Sequence, residues 1–292
     1  MKKWCFALLF LFLGGNVCHA QSGLYSLNKE FESDDPFDEL THLDLGMNLM
    51  SNNVYLGRKD GNKLPYLTPY ISYHLRSGFY FSASESYAFT KKSGHFDLTA
   101  FEAGYDQSFG SNFLAGASIN KYIYYKNSPA VRAAITESGS IYSQYRNDLI
   151  EPQLTFTYNN GINPDILIAI GVDHHFQSTN KKWNTYPSFT FYTGSLNYYN
   201  NYYINRTLRQ DNIVISNAID NAGGIKPVNV ELSAKTTLLA KNWLFTLTPT
   251  FAIPLSASKV TLPGGVINEK LKNTFFIELD ACFRRPRERF IN

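Results

Sequence analysis

The chain has 292 residues, 27 basic against 24 acidic, for a net charge of +3. So even a balance builds no extended basic surface and excludes an electrostatic partnership with nucleic acid. Two of the 3 cysteines, Cys5 and Cys18, lie in the first twenty residues, so a chain that loses that segment keeps only Cys282 and forms neither an internal disulfide nor a paired-cysteine zinc site.

Residues 1–20 read as a cleaved secretory signal peptide. Lys2 and Lys3 supply the charged start, Trp4 to Leu13 an apolar run, Gly14-Gly15 a break, and Cys18-His19-Ala20 a cleavage site before Gln21. Val17 before Cys18 argues against lipidation, and the apolar run is well short of the roughly 20 residues a spanning helix needs. Cleavage leaves 25 basic against 24 acidic residues, because Lys2 and Lys3 go. Residues 21–40 carry Glu30, Glu32, Asp34, Asp35, Asp38 and Glu39 against Lys29 without alternation, which predicts a flexible acidic periplasmic extension; a plug folded into a lumen is the alternative.

From residue 41 the pattern has period two, the mark of strands with one apolar and one polar face. Leu43, Leu45, Met47 and Leu49 alternate with His42, Asp44, Gly46 and Asn48. Strands are predicted at 65–76 and 79–89 around a Ser77-Gly78 turn, with Glu85 intruding on the second strand's apolar face. They continue at 95–108, with a bulge between Ala100 and Phe101, and at 113–126 after Gly110-Ser111-Asn112. Residues 127–147 lack alternation and are expected to form a loop. Strands follow at 148–159, 165–178 and 184–193, then a Tyr/Asn-rich strand from Leu196 to Ile204, a long loop at 205–227, and strands at 228–240, 243–253 and 275–283.

The count is about twelve strands of roughly ten residues, the length that crosses a bilayer at a tilt. Aromatic residues make up 15% of the sequence, enough for girdles at two interfaces. The fold expected for residues 41–292 is therefore an all-β, transmembrane, antiparallel up-and-down barrel in the outer membrane of a Gram-negative cell. A soluble sandwich shares the alternation but not the strand length or the alternation of short and long connections. Counting the Leu196 run as a strand puts Ser77-Gly78, Gly110 to Asn112, Asn159 to Pro164, Gly194 and Lys241-Asn242 on the periplasmic side. Segments 127–147, 205–227 and 257–271 are then extracellular.

The stretch Ser51-Asn52-Asn53-Val54-Tyr55-Leu56-Gly57-Arg58, followed by Pro65 and by Tyr73-His74-Leu75-Arg76-Ser77-Gly78-Phe79-Tyr80, resembles the opening of the TorF-like porins. It covers about thirty residues and departs from that family's pattern in its Gly57-Arg58 order and its acidic leader. The resemblance implies an outer-membrane barrel and a pore, without a substrate.

The polar phase of the strands gives the lumen-lining candidates Asp44, His74, Arg76, Glu151, Asp173, His175, Glu231, Lys235, Glu278 and Asp280. No catalytic residue, metal ligand or cofactor is expected. Asp173-His174-His175 with Ser178 is the sharpest enzymatic pattern, but His175 and Ser178 are three apart on a strand and point to opposite faces. Neighbouring His174 and His175 diverge for the same reason and lack a nearby third metal ligand. The function expected is a passive channel or small-solute porin, its partners outer-membrane lipids and small polar solutes. The alternatives are a closed structural or surface-binding barrel, acting through the loops 127–147 and 205–227, and an outer-membrane lipid hydrolase.

Overall fold

The computed structural model describes residues 41–59, 63–90, 94–126, 128–202, 222–257, 259–262, 265–268 and 271–286. The expected signal peptide and acidic extension lie outside them. Twelve long strands form the wall: β1 (His42–Met50), β2 (Tyr66–His74), β3 (Phe79–Phe89), β4 (Gly94–Phe109), β5 (Phe113–Tyr124), β6 (Ile135–Tyr145), β7 (Glu151–Gly161), β8 (Asp165–Asp173), β9 (Trp183–Gly194), β10 (Lys226–Ala240), β11 (Trp243–Pro254) and β12 (Thr274–Pro286). Each pairs antiparallel with its sequence neighbour, and β1 also pairs with β12, His42 opposite Pro286. The sheet is closed, and closure leaves no edge with unpaired N–H and C=O groups.

Period-two alternation decides which side chains face out. On β1, Leu45, Met47 and Leu49 are exposed while His42 and Asp44 are buried; on β12, Phe275 and Leu279 are exposed while Phe276, Glu278 and Cys282 are buried. The exposed midsection is aliphatic, with Ile71, Ile119, Ile141, Leu154, Ile170, Leu232 and Leu279 among its members. Aromatic rings flank it. Phe79 against Tyr105, Phe109 against Phe113 and Trp243 against Phe283 lie toward one end, and Tyr87 against Phe96 toward the other. A continuous apolar belt around a closed sheet is far more than a water-soluble surface carries, and no helix among the described residues is long and apolar enough to cross a membrane. Strands do the crossing: the chain is a transmembrane barrel of the outer-membrane type.

The twelve strands are not the twelve expected. Residues 135–145, assigned to a loop, form β6, whereas the Leu196 run is not a strand: residues 197–202 are helical. The two errors cancel in the count but reverse two connections. Residues 75–78, 110–112, 146–150, 174–182 and 241–242 lie at one end, with His42 and Pro286. The connection 162–164 lies at the other, with the described parts of the connections that follow β1, β5, β9 and β11, so Asn159 to Pro164 and Gly194 are not at the short-turn end. Short turns and chain ends mark the periplasmic side, long loops the outer one. The β4 irregularity also sits earlier than expected. Asp97 is the extra residue, between Phe96 opposite Tyr87 and Leu98 opposite Ser86. Glu85 does lie on the exterior, half-buried, and accepts a 2.5 Å hydrogen bond from the Thr99 hydroxyl of the facing strand.

Candidate functional site

Toward the short-turn end the barrel interior is polar, and alternation places most of its side chains. Asp44, on β1, accepts from Arg284 Nε at 3.1 and 3.3 Å. His74, at the end of β2, stacks on His42 of β1 at 4.6 Å and on Tyr80 of β3 at 5.6 Å, and its Nε2 bonds to the Ser72 hydroxyl at 2.9 Å. Glu151 takes a hydrogen bond from Gln144 at 2.9 Å, with Arg146 Nε at 3.8 Å. Asp173 stands opposite Glu151 in the register and accepts from Gln153. Glu231 accepts from Tyr192 at 3.3 Å and Asn229 at 2.7 Å, and Asp280 accepts from Tyr70 at 3.2 Å. Lys235 lies 5.8 Å from the centre of the Tyr186 ring, whose other neighbour is His175, stacked at 4.5 Å and bonded to Asn184 at 2.9 Å. Arg76 differs from the rest: it is exposed in the turn after β2, its backbone N–H reaching Thr41.

A cavity of about 120 Å³ joins several of these groups. Asp44, His74, Lys235, Glu278 and Asp280 line it, together with Glu102, Asp106 and Arg284, which the sequence reading did not single out. Five carboxylates against two strong bases make its lining acidic. A second cavity of about 30 Å³ lies toward the long-loop end, beside Tyr66, Leu98 and Arg132. A water needs about 10–15 Å³, so the first has room for several waters and the second for one or two.

Tyrosine rings lie along the inner face of the barrel wall. Tyr70, Tyr80 and Tyr142 each lie directly opposite a glycine of an adjacent strand, Gly46, Gly104 and Gly116, and each ring covers that glycine. A Cβ at Gly116 would stand 2.5 Å from Tyr142 Cζ, so the glycine is what lets the ring lie flat along the wall. The phenols in turn anchor carboxylates: Tyr80 donates to Glu102 at 3.1 Å and Tyr142 donates to Asp106.

At the long-loop end the interior changes character. The stretch Ser51 to Arg58 turns inward as a small ribbon, Val54–Tyr55 paired with Arg58–Lys59, through positive φ at Leu56 and Gly57. Gly57 is required there, since a Cβ would also meet Asn229 Oδ1 at 2.5 Å. Tyr55 and Leu56 pack with Leu196, Tyr198 and Tyr199 of the helical turn, with Val131, and with wall residues Leu98, Tyr122 and Val228. Tyr55 meets Tyr198 edge-on at 4.7 Å, and Arg58 lies 4.8 Å over Tyr199 while donating to Ser256 O at 2.5 Å. Asp165 at the start of β8 receives the backbone N–H groups of Asn197 and Tyr198, both at 2.7 Å, and the Ser195 hydroxyl. Orphan donors of the helical turn are thereby satisfied. Of the two stretches that carry the porin resemblance, Ser51 to Arg58 is thus part of a loop-built plug, whereas Tyr73 to Tyr80 lies at the short-turn end.

For hydrolytic chemistry the arrangement offers little. His175 is committed to Asn184, while the Ser178 hydroxyl donates to Asn180 at 2.7 Å and accepts from Trp183 N at 3.0 Å. His174 bonds Leu149 O at 2.7 Å, pointing away from His175. Among the described residues, the side chains that could hold a metal are elsewhere: donor atoms of His42, Asp44 and His74 all lie within 4.8 Å of one another. That grouping needs the β1–β2 register, because 32 residues separate the two histidines, and it is invisible as a sequence motif.

No protein-family model matches the chain, and no curated protein does. Among solved structures, a KdgM porin aligns over 83% of this chain and 98% of its own, at 10% identity and a TM-score of 0.46. LpxR from Salmonella typhimurium aligns over 82% and 99%, at 9% identity and 0.44. The CymD monoaromatic hydrocarbon channel aligns over 85% and 88%, at 11% identity and 0.40. Likenesses at this level assign no activity, and the membrane placement rests on the apolar belt and closed sheet.

Proposed function

We propose that this outer-membrane barrel is a gated channel for small polar solutes, closed in this conformation by the plug at its long-loop mouth. One observation carries the reading: a cavity lined by charged groups and large enough for water lies inside the wall, and what covers it on the outer side is made of connecting segments, which can move without breaking the strand ladder. The resemblance of the opening hairpin to TorF-like porins fits the same reading. Tag-free protein refolded into planar bilayers should give discrete conductance steps separated by long closed intervals. Silence at all voltages, from protein that keeps the heat-modifiable migration of a folded barrel, would overturn it.

A second reading is favoured by how completely the plug is buried, Tyr55 and Leu196 at 0% exposure and Tyr198 at 1%. A permanently closed barrel would present its loops to a surface partner and conduct nothing even with the plug loosened. The lipid-hydrolase reading has no geometric support, since His175 and Ser178 are bonded to different partners.

A further inference from the structure

We propose that His42, Asp44 and His74 bind a divalent transition-metal ion of the zinc class at the periplasmic mouth of the lumen. Two imidazoles and a carboxylate are the donor set of many three-ligand zinc sites, leaving a fourth position for water. Strand geometry brings them together. His42 and Asp44 are two apart on β1 and so share its inner face, and His74 is the direct cross-strand partner of His42. His42 Nε2 lies 3.9 Å from Asp44 Oδ1, and all three donor atoms fall within 4.8 Å. Bonds of about 2.0–2.1 Å at a tetrahedral ion place ligand atoms about 3.3 Å apart. The groups must therefore close by an ångström or so.

The metal-free arrangement permits that closure. The imidazoles stack at an interplanar angle of 11°, so their in-plane lone pairs do not yet converge; rotation about χ2, a broad torsion in histidine, turns one edge toward the other. Asp44 is held by Arg284, but a carboxylate has about four lone-pair sites and can face an ion with one oxygen while keeping its guanidinium partner. Ser72, on the Nε2 of His74, is placed to orient that ring, as outer partners of ligating histidines do. The open side of the cluster faces the 120 Å³ cavity, lined by both Asp44 and His74, so water can complete the shell. At the end of β1 and β2 the site is one residue from the short-turn rim, within reach of ions from the periplasm. Nothing in this geometry depends on whether the barrel conducts.

The test is zinc titration of the tag-free, refolded, full-length barrel by isothermal calorimetry, with cobalt(II) as a spectroscopic substitute. A single saturable site with visible cobalt absorption is expected. It should be lost in His42→Gln and in His74→Gln, and kept in His174→Gln and His175→Gln, all four judged on heat-modifiable protein. Should either variant of the cluster fail to fold, the wild-type barrel still decides: zinc should protect His42 and His74, and not His174, from diethyl pyrocarbonate, read by peptide mass spectrometry. Absence of saturable binding, binding that survives both cluster substitutions, or protection confined to other histidines would each overturn the proposal.

Discussion

Tyr198→Ala separates a gate from a permanent seal. Tyr198 is 1% exposed, lies edge-on to Tyr55 at 4.7 Å, and belongs to the apolar cluster that holds the helical turn against the wall. Truncating a fully buried large aromatic typically costs about 3–5 kcal/mol, of which about 0.5–1.5 reflects the ring pair. All of that loss falls on docking of the loops, because Tyr198 belongs to no strand of the ladder. At about 1.4 kcal/mol per power of ten, the docked-to-undocked ratio drops roughly 10²–10⁴-fold. Leu196, Tyr199 and the Asp165 hydrogen bonds persist, so repeated opening is expected rather than a permanent hole. Single-channel recording should show shorter closed intervals at unchanged unit conductance, and limited proteolysis should cut faster within 195–225. The control is heat-modifiable migration, which should match wild type. An unchanged open fraction in folded Tyr198→Ala would refute the claim that this plug gates the lumen and favour the closed barrel.

Two further outcomes test the wall. Leu279 is exposed near the middle of β12 between Leu49 and Leu247, so Leu279→Arg should destabilise the barrel by about 2–4 kcal/mol in chemical unfolding from lipid vesicles; an unaffected midpoint would place this face in water. Gly116→Ala puts a Cβ 2.5 Å from both Tyr142 Cζ and Asp106 Oδ1, and overpacking of this kind costs about 1–3 kcal/mol. The same unfolding assay should report that loss, and a neutral result would mean the Tyr142 ring is free to swing into the cavity.

Much of the wall was legible because lipid reads only one face of each strand. On β1, β11 and β12 every outward residue in the membrane belt is apolar, so the period-two signal is unbroken. The polar phase of the strands was legible residue by residue, but a site was not. Asp44, His74, Glu278 and Asp280 could be assigned to the polar phase, yet which of them meet depends on register and closure. His42 and Arg284 were missed on the same ground: each acquires its neighbours from another strand, His74 in one case and Asp44 in the other. That Arg76 stands in the turn was not legible, because alternation carries no mark of where a strand gives way to its turn, and β2 ends at His74.

The exchange of β6 for the Leu196 run shows what alternation measures. β6 turns Glu137, Gly139, Ile141, Ser143 and Tyr145 outward, a face with only one aliphatic side chain, and its Glu137 is held on the exterior by Lys121 at 2.6 Å and Asn160 at 2.8 Å. An ion pair with an amide partner satisfies that carboxylate near the outer rim, where a charge costs little, so the strand needs no apolar stripe to stay in the wall. Leu196, Tyr198 and Tyr199 are apolar for the opposite reason: they are buried inside the barrel against Tyr55, Val131 and Val228. Apolarity in this chain therefore has two destinations, lipid and plug, and local sequence cannot tell them apart. What distinguishes them is the partner each segment's backbone finds. The outer half of β6 bonds β5 and β7 across a ladder, whereas the turn after Leu196 gives its first amides to a carboxylate on β8. Loss of that one side chain frees both of these amides, whereas no single side chain holds the amides of a ladder strand. If the proposed gate exists, this is the physical reason to seek it at residues 195–202 rather than in the wall.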